Sequence, residues 1–113
     1  MTTCKPFLIT IVSLTLLFTS IGSASSQDEQ QIRFENHKFT PDTITVPAGQ
    51  KVKLVIENKD ATPEEFESKQ LNREKVIPGK STGTVFIGPL KPGEYKFVGE
   101  FNEKTAKGVI VAK

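Results

Sequence analysis

The residues best equipped for chemistry lie close together. From Glu57 to Glu67 the chain reads Glu57-Asn58-Lys59-Asp60-Ala61-Thr62-Pro63-Glu64-Glu65-Phe66-Glu67, five acids against one base. Carboxylates at this density can form a solvated edge strand that resists pairing with other chains. They can bind a hard cation through oxygen, or pair with a cation of the chain itself, for instance Arg73 or Lys75. If Phe66 faces a core, the two-residue period of a strand puts Glu64 on its side and Glu65 and Glu67 on the other. An inward carboxylate is costly unless something positive meets it.

Other chemistry is scarce. The chain has one Cys, one His and no Trp, which excludes a disulfide framework, a Cys/His zinc module and a thiol redox pair. There is no Ser/His/Asp set, so an autonomous enzyme is a poor fit. The single histidine, His37, reads as a surface or loop residue rather than a ligand. With 15 Lys and Arg against 13 Asp and Glu, nothing favours nucleic acid or an anionic membrane as partner.

The elements that must position these residues begin after a leader. Lys5 precedes an apolar run from Pro6 to Ile21, followed by Gly22-Ser23-Ala24-Ser25-Ser26. That order predicts a secretory signal peptide over 1–25, cut after Ala24 or a residue or two later. The run is shorter than the roughly 20 residues a membrane span needs. Cys4 precedes it, where a lipoprotein cysteine would end it. The expected mature protein is exported, nearly neutral, free of cysteine and without a membrane anchor. Residues 26–31 read as a short linker and 32–113 as one domain.

That domain reads as all-β. Ile32 and Phe34, Ile44 and Val46, and Val52, Leu54 and Ile56 alternate with polar neighbours, as half-buried strands do. Thr84 to Ile87, Tyr95 with Phe97, and Val109-Ile110-Val111 continue the pattern. Breakers separate them at Pro47-Ala48-Gly49, Pro78-Gly79, Gly88-Pro89 and Pro92-Gly93. About seven short strands at this spacing predict a β-sandwich, with one or two helical turns over Ser68 to Lys75. A domain this small without staples must bury most of its apolar side chains, so the phenylalanines, Phe34, Phe39, Phe66 and Phe97 among them, are expected to be core.

Four motifs, in order, resemble the cupredoxin family. Phe39-Thr40-Pro41-Asp42-Thr43-Ile44-Thr45-Val46-Pro47-Ala48-Gly49 is similar to its opening edge, and Val52 to Asp60 to its third strand ending in N-x-D. Pro92-Gly93-Glu94-Tyr95-Lys96-Phe97 is similar to the P-G-x-Y-x-F strand before the copper loop, and Gly108-Val109-Ile110-Val111 to the closing strand. The resemblance implies a cupredoxin-like Greek-key sandwich. Where electron-transfer cupredoxins carry histidine after the N-x-D turn, this chain has Glu64. Where they carry Cys, His and Met, it has Gly99, Asn102 and Thr105 or Ala106. A type 1 copper centre is therefore not expected.

A narrower resemblance is to EfeO-type cupredoxin-like domains, through Asn58-Lys59-Asp60, Glu64-Glu65-Phe66-Glu67-Ser68, Glu74-Lys75, Pro78-Gly79, Gly99-Glu100-Phe101-Asn102 and Thr105-Ala106-Lys107-Gly108. Such domains are periplasmic and accompany bacterial iron permeases. The resemblance implies a periplasmic protein that binds, oxidises or relays iron, and copper as a second candidate ion. It would serve a membrane iron permease or an associated periplasmic iron-uptake protein. It places Glu64, Glu65 and Glu67 beside Glu100 and Asn102 as metal ligands, with Glu103 at the rim. Small relatives often carry His where Asn102 stands. Any turnover would be oxidation of ferrous iron. The competing expectation is a metal-free module that docks a partner through its acidic patch.

Overall fold

The computed structural model describes residues 28–113. The expected signal peptide and residues 26 and 27 lie outside the described residues. Nine strands follow: β1 (Asp28–Glu35), β2 (Lys38–Thr40), β3 (Thr43–Val46), β4 (Val52–Asn58), β5 (Glu64–Ser68), β6 (Arg73–Ile77), β7 (Thr82–Ile87), β8 (Gly93–Gly99) and β9 (Lys107–Ala112). One sheet has the order β2-β1-β4-β7, the other β3-β9-β8-β5-β6. The pairs β1–β4 and β3–β9 are parallel, as expected when the chain crosses between two packed sheets.

Alternation explains most of these strands. Val52, Leu54 and Ile56 are buried while Lys53 and Val55 are half-buried on the outer side. Ile32 and Phe34 do the same in β1, which begins inside the stretch expected to be linker. Between the sheets Phe34, Phe39, Phe66 and Phe97 form one cluster, with ring centroids 5.1 Å apart for Phe34–Phe39 and Phe66–Phe97 and 5.2 Å for Phe39–Phe97. Each such burial contributes about 1.5–3 kcal/mol.

Several expectations need correction. The described residues hold nine strands rather than about seven, because β2 is short and β6 carries no alternation. In β6, Arg73 to Val76 are all exposed and Ile77 alone is buried. The helical turns expected over Ser68 to Lys75 are instead the β5–β6 connection and most of β6, held by β5 across an antiparallel register. Phe86 and Phe101 are not core but 44% and 54% exposed. The last strand, β9, lies inside its sheet between β3 and β8.

The Asn58-Lys59-Asp60 triplet is a strap. Asn58 is buried, and its Nδ2 donates to the carbonyls of Thr62 (2.9 Å) and Ile77 (3.1 Å). The Asp60 carboxylate accepts the amides of Asn36 (2.8 Å) and His37 (3.0 Å), residues with φ of 53° and 60° in the β1–β2 turn. Partial burial pushes Asp60 up, but those two amides and the charges of His37 and Lys80 outweigh it and hold the carboxyl below its usual range. The strap thereby fixes where β5 starts.

Candidate functional site

β5 carries the acidic motif, and its alternation divides the motif in two. Glu64, Phe66 and Ser68 point inward and are 1%, 0% and 2% exposed; Glu65 and Glu67 are half-buried on the outer face. Glu64 Oε1 accepts the backbone amides of Glu65 and Phe101, both at 2.9 Å. Its Oε2 accepts Asn102 Nδ2 at 2.6 Å. The positive partner expected for an inward carboxylate is thus replaced by three N–H donors, which serve an anion well. Arg73 plays no part: its Nε donates to the Phe86 carbonyl at 2.9 Å.

The loop after β8 builds the other half of this inner site. Glu100–Asn102 forms a 3-10 turn. The Asn102 carbonyl accepts the Ala106 amide at 2.8 Å, and the Ala106 carbonyl accepts the Gly99 amide at 2.9 Å. Gly99 is packed so tightly that an added Cβ would lie 2.7 Å from Ala106 Cβ and 2.8 Å from Glu64 Cδ. The positions set against cupredoxin ligands, Glu64, Gly99, Asn102 and the pair Thr105 and Ala106, therefore converge. A carboxylate–amide lock occupies the space between them.

The outer site follows from register. Phe66 pairs with Gly99 and Glu67 with Val98 on β8, so Glu65 lies one step further on, beside Glu100. On β6 Glu67 pairs with Glu74. Partial desolvation, then the hydrogen-bonded neighbour Glu100, push the Glu67 carboxyl above the ordinary range. For Glu100 the hydrogen-bonded Glu65 carboxyl is the main upward influence; its hydrogen bond with Glu67 opposes this, and the charges of Glu65 and Glu74 add to it. Carboxylates that share a site this way retain a proton or attract a cation. Glu103 acts on Glu67 through its charge across the neighbouring groove.

The structure thus brings Glu65, Glu67 and Glu100 together on the sheet face. It sets Glu64 and Asn102 beneath them as a hydrogen-bonded pair, and leaves Glu103 on the far wall of a groove. Among the described residues no three His, Cys, Asp or Glu side chains form a group ready to hold a metal ion. Glu65 and Glu67 each act on Glu100 as separate neighbours, and the three do not close into one cage. Glu74 was not singled out as part of the cluster from sequence; only the β5–β6 register reveals it. His37 is an exposed turn residue as expected, yet it lines the same depression as Glu100, Phe101 and Asn102.

Two sheets enclosing an aromatic core, with the β4–β5 and β8–β9 connections meeting at one tip, define the cupredoxin class of sandwich. The chain belongs to the cupredoxin-like domain family, whose profile matches residues 8–112. It is 38% identical over 111 residues to the uncharacterized protein RP394 of Rickettsia prowazekii (strain Madrid E), covering 96% of this chain and 86% of that one. Its fold is similar to the NMR structure of a copper binding protein in the apo form (TM-score 0.66, 20% identity, 75% of this chain and 86% of the other). It is also similar to auracyanin A, a blue copper protein of Chloroflexus aurantiacus (TM-score 0.66, 15% identity, 78% and 100%). At these identities the two structures establish the shared fold.

Proposed function

We propose that this is a periplasmic metal-binding protein accessory to bacterial iron uptake, of the EfeO type, which takes iron or copper ions at the carboxylates of its β5–β8 face. The observation that carries the reading is the mutual approach of Glu65, Glu67 and Glu100, whose raised carboxyl pKa values at positions 67 and 100 mark a surface short of positive charge. Oxygen-only donors favour ferric over ferrous iron, a bias suited to binding or relaying the oxidised ion. Glu64 and Asn102 support the loop that carries Glu100, and Glu103 extends the negative field. The intact Glu64-to-Ser68 motif supports the subfamily, and the signal-like leader supports export. A membrane iron permease or a periplasmic component of such a system is the partner this reading requires.

The donor set at the inner tip does not fit a type 1 copper centre. A carboxylate and an amide stand where imidazoles are needed, and a glycine stands where a thiolate is needed. Calorimetric titration with ferric, ferrous and cupric ions tests the proposal. It expects binding of at least one ion that weakens when Glu65 and Glu100 are both changed to Gln. No ion bound more tightly than ~100 μM (about −5.5 kcal/mol) would overturn it.

The lack of a closed three-ligand group among the described residues favours a second reading, a metal-free module that docks a basic partner through the same patch. Reversing Glu65 and Glu67 to Lys would then abolish capture of the permease with steep salt dependence, while metal content stays nil.

A further inference from the structure

A groove of about 470 Å³ runs alongside the acidic face, between the end of β5 and the loop that enters β9. It exists because β5 is too short to flank the whole of β8. β5 pairs with β8 only at Phe66–Gly99 and Glu67–Val98, so the earlier half of β8 has no strand beside it there. Side chains take over the missing hydrogen bonds. Ser68 Oγ donates to the Lys96 carbonyl at 2.7 Å, and Gln70 Oε1 accepts the Lys96 amide at 2.6 Å. The backbone is satisfied without a neighbouring strand, and an open trough remains above it.

Four lysines from three separate segments surround this trough: Lys69 after β5, Lys96 on β8, and Lys104 and Lys107 from the β8–β9 connection and the start of β9. Among the described residues none of the four has a carboxylate within ion-pair distance; the ion pairs present are Arg33–Glu35, His37–Asp60 and Lys59–Glu57. Val98, half-buried on the outer side of β8, contributes apolar surface between them. Ammonium groups left unpaired around one concavity repel each other until an anion neutralises them.

We infer that this groove binds a small, multiply charged oxyanion, a polycarboxylate or a phosphate ester, through Lys69, Lys96, Lys104 and Lys107. The volume is that of a small-molecule site. The lysines come from three separate segments, so an anion with several charged arms engages more of them than a single carboxylate does. Lysine supplies point charges rather than a planar fork, so carboxylate and phosphate share the same recognition. Glu67 and Glu103, which also line the groove, oppose the anion and hold its affinity to a reversible level. The inference does not depend on any metal at the acidic face.

The test uses the full chain without added metal, titrated with citrate, pyrophosphate and acetate at low ionic strength, read by calorimetry and by amide shifts of Val98 and Lys107. Citrate or pyrophosphate should bind more tightly than ~1 mM, acetate at least tenfold more weakly, and added salt should weaken both. The stronger of the two multivalent anions identifies the source chemistry. Lys96→Glu with Lys107→Glu should lower affinity at least tenfold, Glu103→Gln should raise it severalfold, and Lys53→Glu on β4 of the other sheet should leave it unchanged. Equal binding of acetate, equal loss in the Lys53 variant, or capture of an acidic peptide with no binding of citrate or pyrophosphate would each overturn it.

Discussion

Glu64 and Glu65 are neighbours in sequence and opposites in circumstance. Glu64 is 1% exposed yet meets three N–H donors at 2.6–2.9 Å. Glu65 reaches the surface and finds another carboxylate, Glu100, beside it. The buried acid is thus the satisfied one and the accessible acids are the frustrated ones. Burial alone is a poor guide to where a protein stores unmet electrostatic demand; the count of donors around each oxygen decides it. One strand delivers both conditions because its side chains alternate. The same five residues stiffen the tip from within and charge it from without.

The comparison breaks most visibly at Glu64. Glu64→Ala strips the acceptor from two part-buried amides and from Asn102, and should cost about 3–5 kcal/mol. A fall in thermal midpoint well beyond that of Glu65→Ala is the expected reading. Similar falls for both would mean that the lock carries no more weight than a surface acid. Next is the strap: Asp60→Ala removes two charge-assisted bonds from the β1–β2 turn, about 2–3 kcal/mol by urea unfolding. Because the Asp60 carboxyl is held below its unfolded value, its stabilisation is complete above the ordinary Asp range. It is lost as pH falls through the depressed folded value.

The outer cluster should behave in the contrary sense. Glu67 and Glu100 have raised carboxyl pKa values, so the folded state binds protons more readily there than the unfolded chain does. Their repulsion opposes folding at neutral pH and is relieved as pH falls through those raised values, before the Asp60 contribution declines. Glu100→Gln should therefore raise the thermal midpoint slightly at pH 7 and flatten its rise as pH falls through the raised carboxyl values. An unchanged pH profile in that variant would show that the outer acids do not interact. The smallest effect is expected for Glu74→Gln, which touches the cluster through charge alone; it should move the apparent pKa of Glu100 downward in a carboxyl-carbon NMR titration.

Much of this was legible before any coordinates. The alternation of Val52, Leu54 and Ile56, the breakers and the aromatic positions declare a sandwich, and the period of two divides Glu64 from Glu65 and Glu67 correctly. What stayed hidden has a common cause. β6 is an edge strand with four successive exposed residues, so its pattern comes from pairing with β5 and leaves no hydrophobic trace. The partners of Glu64 are backbone amides and an asparagine rather than cations, and no composition argument finds a backbone N–H. The contribution of Glu74 depends on a register that β6 could not announce. The lysine groove depends on the length of β5 relative to β8, a property of the assembled sheet.

Gly99 has a longer reach than its size suggests. A side chain there would drive into Ala106 and into a carboxylate that three donors prevent from swinging aside. Passage between this molecule and a thiolate-bearing cousin cannot then begin at position 99. Position 64 must yield first, and an intermediate that has given up its lock without gaining a metal is the least stable chain on the route. The tip sits in a valley of sequence space whose exit is steep, and drift alone would tend to keep it there.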